Sequence, residues 1–214
     1  MKNKKTIIWD WNGTLLDDAL MCVESINSLL SNRDLQLLTM QKYREIFTFP
    51  VIDYYRAAGF DFNQEPFEKP AMEFIDLYHE KLPEVGLFAD VVSVLDYFKK
   101  LGIQQVILSA MEQDSLLNTL NVHHISPYFA HVSGLQDHYA HGKIALGEDL
   151  IKKLNQPLSE MVLVGDTLHD KEVADHLGVD VVLVSNGHQS RTRLEESGAQ
   201  VVSSLTELVS LKMG

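Results

Sequence analysis

The sequence predicts an α/β protein: a parallel β-sheet covered by helices on both faces and interrupted after its first strand by an all-helical insert. Three observations carry this. Short β-branched runs recur along the chain with helical patterns between the later ones, which is how a parallel sheet with crossover helices reads. Ile107-Leu108 and Val181–Val184 are apolar without alternation, as strands buried on both faces are. From Asp18 to Leu87 there are several helical patterns and no convincing strand.

Taken in order, Thr6–Trp9 is the first expected strand. Leu20, Val23, Ile26 and Leu30 then fall on one helical face, with Asp17 or Asp18 placed to cap that helix. Helical patterns follow over 37–47, 51–58 and 67–82, punctuated by Pro50, Pro66, Pro70 and Pro83. In 89–101, Val91, Val94, Leu95, Phe98 and Leu101 keep the helical period and Gly102 is a natural stop. Gln105–Leu108 and Ala130–Ser133 read as strands. Leu146, Leu150, Ile151 and Leu154 place a helix over 143–154, and Met161–Val164, Val181–Val184 and Val201–Val202 complete the strands. With 214 residues, this amounts to one domain carrying a smaller insert: a core of residues 1–17 and 86–214, and a helical unit of residues 18–85.

Composition narrows the function classes. Lys and Arg number 18 against 30 Asp and Glu, a formal charge of −12. No basic footprint for nucleic acid is visible. No segment approaches the roughly 18 apolar residues of a membrane span, and the apolar run behind the basic N-terminus is too short for a signal peptide. The lone Cys22 can build neither a disulfide within the chain nor a cysteine-rich zinc site, and it sits in an apolar helical stretch as core filling. A cytoplasmic protein is expected, with neither nucleic acid nor membrane as partner.

Ligands of parallel α/β sheets bind outside the carboxyl ends of the strands. After the first strand comes Asp10-Trp11-Asn12-Gly13-Thr14-Leu15-Leu16-Asp17. After the second comes Ser109-Ala110, and after the fourth Gly165-Asp166-Thr167-Leu168-His169-Asp170. His141-Gly142-Lys143 opens the helix between the third and fourth. These groups are expected to converge on one crevice. Clustered carboxylates repel unless a cation joins them, and hard oxygen ligands suit Mg2+. A lysine and hydroxyls added to that ion make a seat for a phosphoryl group.

These residues resemble the motifs of the haloacid dehalogenase (HAD) superfamily of phosphotransfer enzymes, in its phosphoglycolate-phosphatase-like branch with a helical cap. Asp10–Thr14 with Leu15 and Asp17 matches the first motif, Ser109 the second, Lys143 after a glycine the third, and Gly165-Asp166 with Asp170 the fourth. The resemblance spans essentially the whole chain. It implies a Rossmann-like three-layer core and a Mg2+-dependent phosphatase acting on a small phosphorylated metabolite. Asp10 would be the nucleophile, forming an aspartyl-phosphate. The ion would be held by Asp10, the Asn12 carbonyl and Asp166, with Asp170 directly or through water. Ser109, Ala110 and Lys143 would hold the transferring oxygens, Thr14 would orient the nucleophile's loop, and Gly13 would bring backbone donors close to the phosphate.

One position departs from the family pattern. Phosphatases of the family usually carry a second Asp two residues after the nucleophile, as general acid and base; here it is Asn12. An amide cannot shuttle a proton, and losing such a group typically costs about 10²–10⁴-fold. Turnover is therefore expected to be slow. His141 is the first candidate to supply the proton, ahead of His138, His169 and His79. Two other readings follow from Asn12. One is a phospho-ligand binder without turnover. The other is a phosphonatase-like hydrolase using a cap lysine, for which Lys42, Lys69 and Lys81 are available although each reads as solvated helix surface. The loop Phe47-Thr48-Phe49-Pro50 is apolar where a strongly anionic substrate would call for Lys or Arg. If it faces the site, an apolar or aromatic leaving group is favoured.

Overall fold

A computed structural model describes residues 3–135 and 142–211. Its sheet has six parallel strands: β1 (Thr6–Trp9), β2 (Gln104–Glu112), β3 (His131–Leu135), β4 (Met161–Gly165), β5 (Asp180–Val184) and β6 (Gln200–Val202). Their spatial order is β3-β2-β1-β4-β5-β6, so the sheet winds outward in both directions from β1. This reversal opens a crevice at the carboxyl end of β1.

Helices α1 (Ala19–Ser31), α2 (Met40–Ile46), α3 (Val51–Ala58) and α4 (Glu68–Lys81) follow β1 directly. The remaining helices, α5 (Val91–Lys100), α6 (Gln113–Val122), α7 (Lys143–Leu154), α8 (Leu168–Leu177), α9 (Arg191–Glu196) and α10 (Leu205–Ser210), cover the sheet. Three hydrophobic clusters match this division. One face of the sheet packs Ile7, Trp9 and Ile107 against Val94, Leu95 and Phe98 of α5. The other packs Ile8, Val106 and Leu163 against Leu150 of α7 and Val173 of α8. The third lies within the insert, where Val23, Ile26 and Leu30 meet Tyr43, Tyr54, Tyr55 and Phe60. That separate cluster is what makes the strand-free stretch a packing unit of its own.

Several local expectations change. Leu20 is 59% exposed, and the buried stripe of α1 is Cys22, Val23, Ile26, Leu29 and Leu30. That stripe meets the insert's core; Leu20 lies about a third of a turn from its centre line. Leu101 is likewise exposed, one residue past the end of α5. The second strand runs to Glu112, so Ser109 lies within it and the cap of α6 is Glu112, which accepts the N–H groups of Asp114 and Ser115. Asp18 sits at the N-cap position of α1 but caps nothing. Its carboxylate turns into the site instead. Cys22 is buried, as expected of a core residue. Among the described residues no helix is long and apolar enough to cross a membrane.

Candidate active site

Asp10 follows β1 and Asp166 follows β4. The two strands pair with Trp9 opposite Val164, and the Asp10 N–H donates to the Val164 carbonyl at 2.8 Å. The two acids therefore leave the sheet side by side. Asp170 joins them from the first turn of α8, where Thr167 is the N-cap. One Asp170 oxygen completes the capping box, accepting the Thr167 N–H at 3.0 Å and its hydroxyl at 2.7 Å. The other lies 2.6 Å from Lys143 Nζ. Lys143 opens α7, is 5% exposed, and also contacts Asp10 Oδ1. Oxygens of Asp10, Asp166 and Asp170 all lie within 4.8 Å of one another.

Two glycines make room for this. A Cβ at Gly13 or at Gly187 would overlap the Asp166 carboxylate, and Gly13 has φ +69° besides. The N–H of His188 donates to Asp166 Oδ2 at 2.6 Å. The Thr14 hydroxyl lies 3.2 Å from Asp10 Oδ2 and 3.3 Å from Asp166 Oδ1, so it orients both.

The electrostatics follow from burial and proximity. Burial pushes Asp10 up to about 6, with Lys143 opposing the rise and Asp170 adding to it. Burial raises Asp166 to about 8; the His188 charge opposes this, while Asp10 and Asp170 reinforce it. For Asp170 burial is outweighed by the Lys143 charge and by hydrogen bonds from Lys143 and Thr167, and its pKa falls. Burial also opposes the Lys143 ammonium, but Asp10 and Asp170 hold it protonated, above the ordinary lysine value. The site thus has more buried carboxylate than its single ammonium can balance. An all-oxygen donor set of this kind suits a hard divalent cation.

A second buried cluster adjoins the first. Asp18 accepts the Gly13 N–H at 2.9 Å, the Asn12 amide at 2.7 Å and the Tyr78 hydroxyl at 3.0 Å. His188 Nε2 lies 3.1 Å from Asp18 Oδ1, and its Nδ1 lies 2.8 Å from the Tyr43 hydroxyl. Asn12 also donates to the Tyr78 hydroxyl at 2.6 Å. The Gly13 N–H expected to face a phosphate is therefore directed at Asp18. Burial opposes ionisation of both partners, but each overcomes it through the other: His188 rises to about 9 and Asp18 falls below its ordinary value.

The sign of the pH dependence follows. The His188 contribution is complete below its ordinary pKa of 6.5 and is lost as pH climbs through about 9. The Asp18 contribution is present above the ordinary carboxylate value of 3.8 and is lost as pH falls below it. At pH 7 both are in force. His188→Gln is expected to cost about 3–5 kcal/mol there, the usual penalty for breaking a buried pair. Urea unfolding at pH 7 and pH 10 should show that penalty shrinking at the higher pH.

Above the carboxylates lies a cavity of about 300 Å³. Its floor includes Asp10, Asn12, Lys143, Asp166 and Asp170, and its roof includes Phe47, Phe49, Tyr54, Phe74, Tyr78 and His79. The roof is tied to the core. Arg44 of α2 donates to the carbonyls of Asn186 (2.6 Å) and Gly187 (2.9 Å). Arg193 and Gln189 donate to the Phe47 carbonyl at 2.6 and 2.9 Å. Phe47 and Phe49 face the cavity, with their rings 5.0 Å from His188 and 4.9 Å from His169.

The other sequence expectations fall as follows. Ala110 lines the cavity; Ser109 is fully buried beneath it, with Oγ accepting the Met111 N–H at 3.0 Å. His79 and His169 line the cavity, while His138 and His141 lie outside the described residues. Lys42, Lys69 and Lys81 do not line it and face Glu45, Glu65 and Glu24 on the surface. Asp18, His188, Tyr43 and Tyr78 were not legible as site residues. His188 stands just beyond the end of β5, so extending the strand-end reading to that strand would have found it.

A family model described as haloacid dehalogenase-like hydrolase matches residues 7–184. A phosphoglycolate phosphatase of Caulobacter vibrioides is 28% identical, the match covering 94% of this chain and 86% of that protein. A haloacid dehalogenase-like hydrolase from Streptococcus pneumoniae superposes with a TM-score of 0.84 at 15% identity, over 98% of this chain and 99% of its own. A HAD family hydrolase from Deinococcus radiodurans, solved with bound phosphate and sodium, gives 0.76 at 17% identity, over 97% and 94%.

Proposed function

Because the chain belongs to the haloacid dehalogenase-like hydrolases, we propose that it is a magnesium-dependent phosphoric monoester hydrolase using Asp10 as nucleophile on a small phosphorylated metabolite. The observation that supports this most is the buried meeting of Asp10, Asp166 and Asp170 around Lys143 at the point where the strand order reverses. The phosphoglycolate phosphatase relative supports the same reaction class.

Asp10, the Asn12 backbone carbonyl and Asp166 would hold Mg2+, with Asp170 directly or through water, its oxygens facing Lys143 and the Thr167 N–H. Bound there, the ion would supply positive charge against the phosphoryl oxygens. In the first step an Asp10 oxygen attacks phosphorus, the P–O bond to the alcohol breaks, and the leaving oxygen takes a proton from water. In the second, water attacks the phosphorus of the aspartyl-phosphate, loses its proton to solvent, and regenerates the Asp10 carboxylate. Thr14 fixes the nucleophile's rotamer, Lys143 screens it from Asp170, and Ala110 borders the phosphoryl seat, with Ser109 buried outside the cavity lining. Residues 18–85 act as a cap that excludes bulk water. Asn12 moves no proton in either step. It is also the single feature favouring ligand binding without turnover. The phosphonatase-like reading has less support, since the cap lysines lie away from the cavity.

Metal addition tests the proposal without relying on activity. At 100 times its Kd, a ligand of the folded state alone adds about 2.7 kcal/mol, or about 5–10 °C for a protein of this size. Mg2+ is expected to raise Tm by that order, more at pH 8.5 than at pH 6, because Asp166 and Asp10 must lose protons to bind it. Asp166→Asn should abolish the shift, and a chelator should stop hydrolysis of p-nitrophenyl phosphate. An unchanged Tm with Mg2+ across that pH range would contradict the metal site.

A further inference from the structure

The cavity's walls specify a class of substrate, an inference that rests on the phosphatase reading and narrows it. The phosphoryl end is acidic, and its one ammonium, Lys143, is already held between Asp10 and Asp170. Among the described residues, Lys143 is the sole lysine or arginine of the lining. The imidazoles of His188 and His169 already face Asp18 and Glu172. Among the described residues, His79 is the one lining imidazole left to meet a second anionic group on the substrate, which would otherwise be desolvated beside carboxylates.

The opposite wall is aromatic. Phe47, Phe49, Tyr54, Phe74 and Tyr78 line it together with Ile75. Phe47 packs edge-on against Phe49 at 5.5 Å and Tyr54 at 5.2 Å, so the rings form a continuous surface. The Tyr54 hydroxyl is buried and has no hydrogen-bond partner among the described residues. The space suffices: an apolar cavity of about 150 Å³ admits benzene, and this one measures about 300 Å³.

We propose that the substrates are phosphate monoesters of uncharged alcohols with an aromatic or bulky apolar group, and that esters bearing a carboxylate, phosphoglycolate among them, are discriminated against. The alcohol would pack against the cap aromatics while its phosphate occupies the acidic floor.

Two unreactive phosphonates test this on the full-length protein with Mg2+ by titration calorimetry. 3-Phenylpropylphosphonate is expected to bind at least tenfold more tightly than 2-carboxyethylphosphonate. Phe49→Ala, at a residue already 38% exposed, should weaken the phenyl ligand severalfold while leaving inorganic phosphate within about twofold. Phe74→Arg should narrow or reverse the preference. Equal or tighter binding of the carboxyethyl compound overturns the proposal, as does a phenyl compound binding no better than inorganic phosphate. Hydrolysis of p-nitrophenyl phosphate in the same preparation tests the underlying reading separately. Hydrolysis with a carboxylate preference leaves the phosphatase and removes the apolar ester. A phenyl preference without hydrolysis does the reverse.

Discussion

Asp10→Asn is expected to lower phosphate release from p-nitrophenyl phosphate by on the order of 10⁴-fold or more, since it deletes the attacking carboxylate while keeping its shape. The fold should survive it. Asp10 is a buried acid whose charge is disfavoured by its surroundings, as its rise to about 6 records. Lys143 keeps Asp170 as a partner at 2.6 Å. Loss of one ion-pair contact and relief of carboxylate crowding act in opposite directions, so a stability change within about 2 kcal/mol is expected. Loss of activity together with loss of fold would say nothing of chemistry, so the urea midpoint is measured on the same sample. Retained activity in a folded Asp10→Asn protein would remove Asp10 from the reaction.

Asn12→Asp is expected to have the opposite sign. Restoring a general acid and base should raise turnover of alkyl phosphates by at least tenfold, toward the roughly 10²–10⁴-fold range of such groups. Turnover of p-nitrophenyl phosphate, whose leaving group needs little protonation, should change less in its first step. The surroundings of Asn12 make the outcome specific. Its amide donates to Asp18 at 2.7 Å, so a carboxyl there meets a buried carboxylate. A carboxylate so close disfavours a second negative charge and so raises the new acid's affinity for the proton that the leaving group needs. The cost is the loss of the amide's bonds to Asp18 and Tyr78, about 1–3 kcal/mol of stability. A variant neutral or slower on every alkyl ester would show that another group already moves the proton. His79 and His169 of the cavity lining are then the next positions to substitute.

The sheet was legible because each strand is short, β-branched and bounded by glycine or by a helical period. The helical character of residues 18–85 was legible because proline breaks and helical stripes leave no room for a strand there. The acids of the floor were legible because Asp10, Lys143, Asp166 and Asp170 each stand at a strand end or a helix start, positions that sequence spacing can specify. The Asp18–His188 pair was not. Its members are 170 residues apart in numbering, and they meet only because β5 ends near β1's loop and the loop after β5 folds back over Gly13. Asp18 looked like a helix cap because it occupies that position, and only tertiary contacts turn its carboxylate inward. Leu20 and Leu101 fitted the helical period yet face solvent, because the period fixes an angle and the neighbouring elements decide where the buried stripe ends. Whether Phe47 and Phe49 packed into the cap or faced the site also needed the fold, since either arrangement buries apolar surface equally well.

A rapid acid quench during turnover of 32P-labelled p-nitrophenyl phosphate with Mg2+ tests the nucleophile directly. Attack by Asp10 needs no proton donor for this leaving group, whereas hydrolysis of the acyl-phosphate must proceed without a base at Asn12. The account predicts a burst of p-nitrophenol of about one equivalent per site and label on the peptide containing Asp10, both absent from Asp10→Asn. Phosphate released by the wild-type protein with no label on Asp10 at any quench time would contradict it.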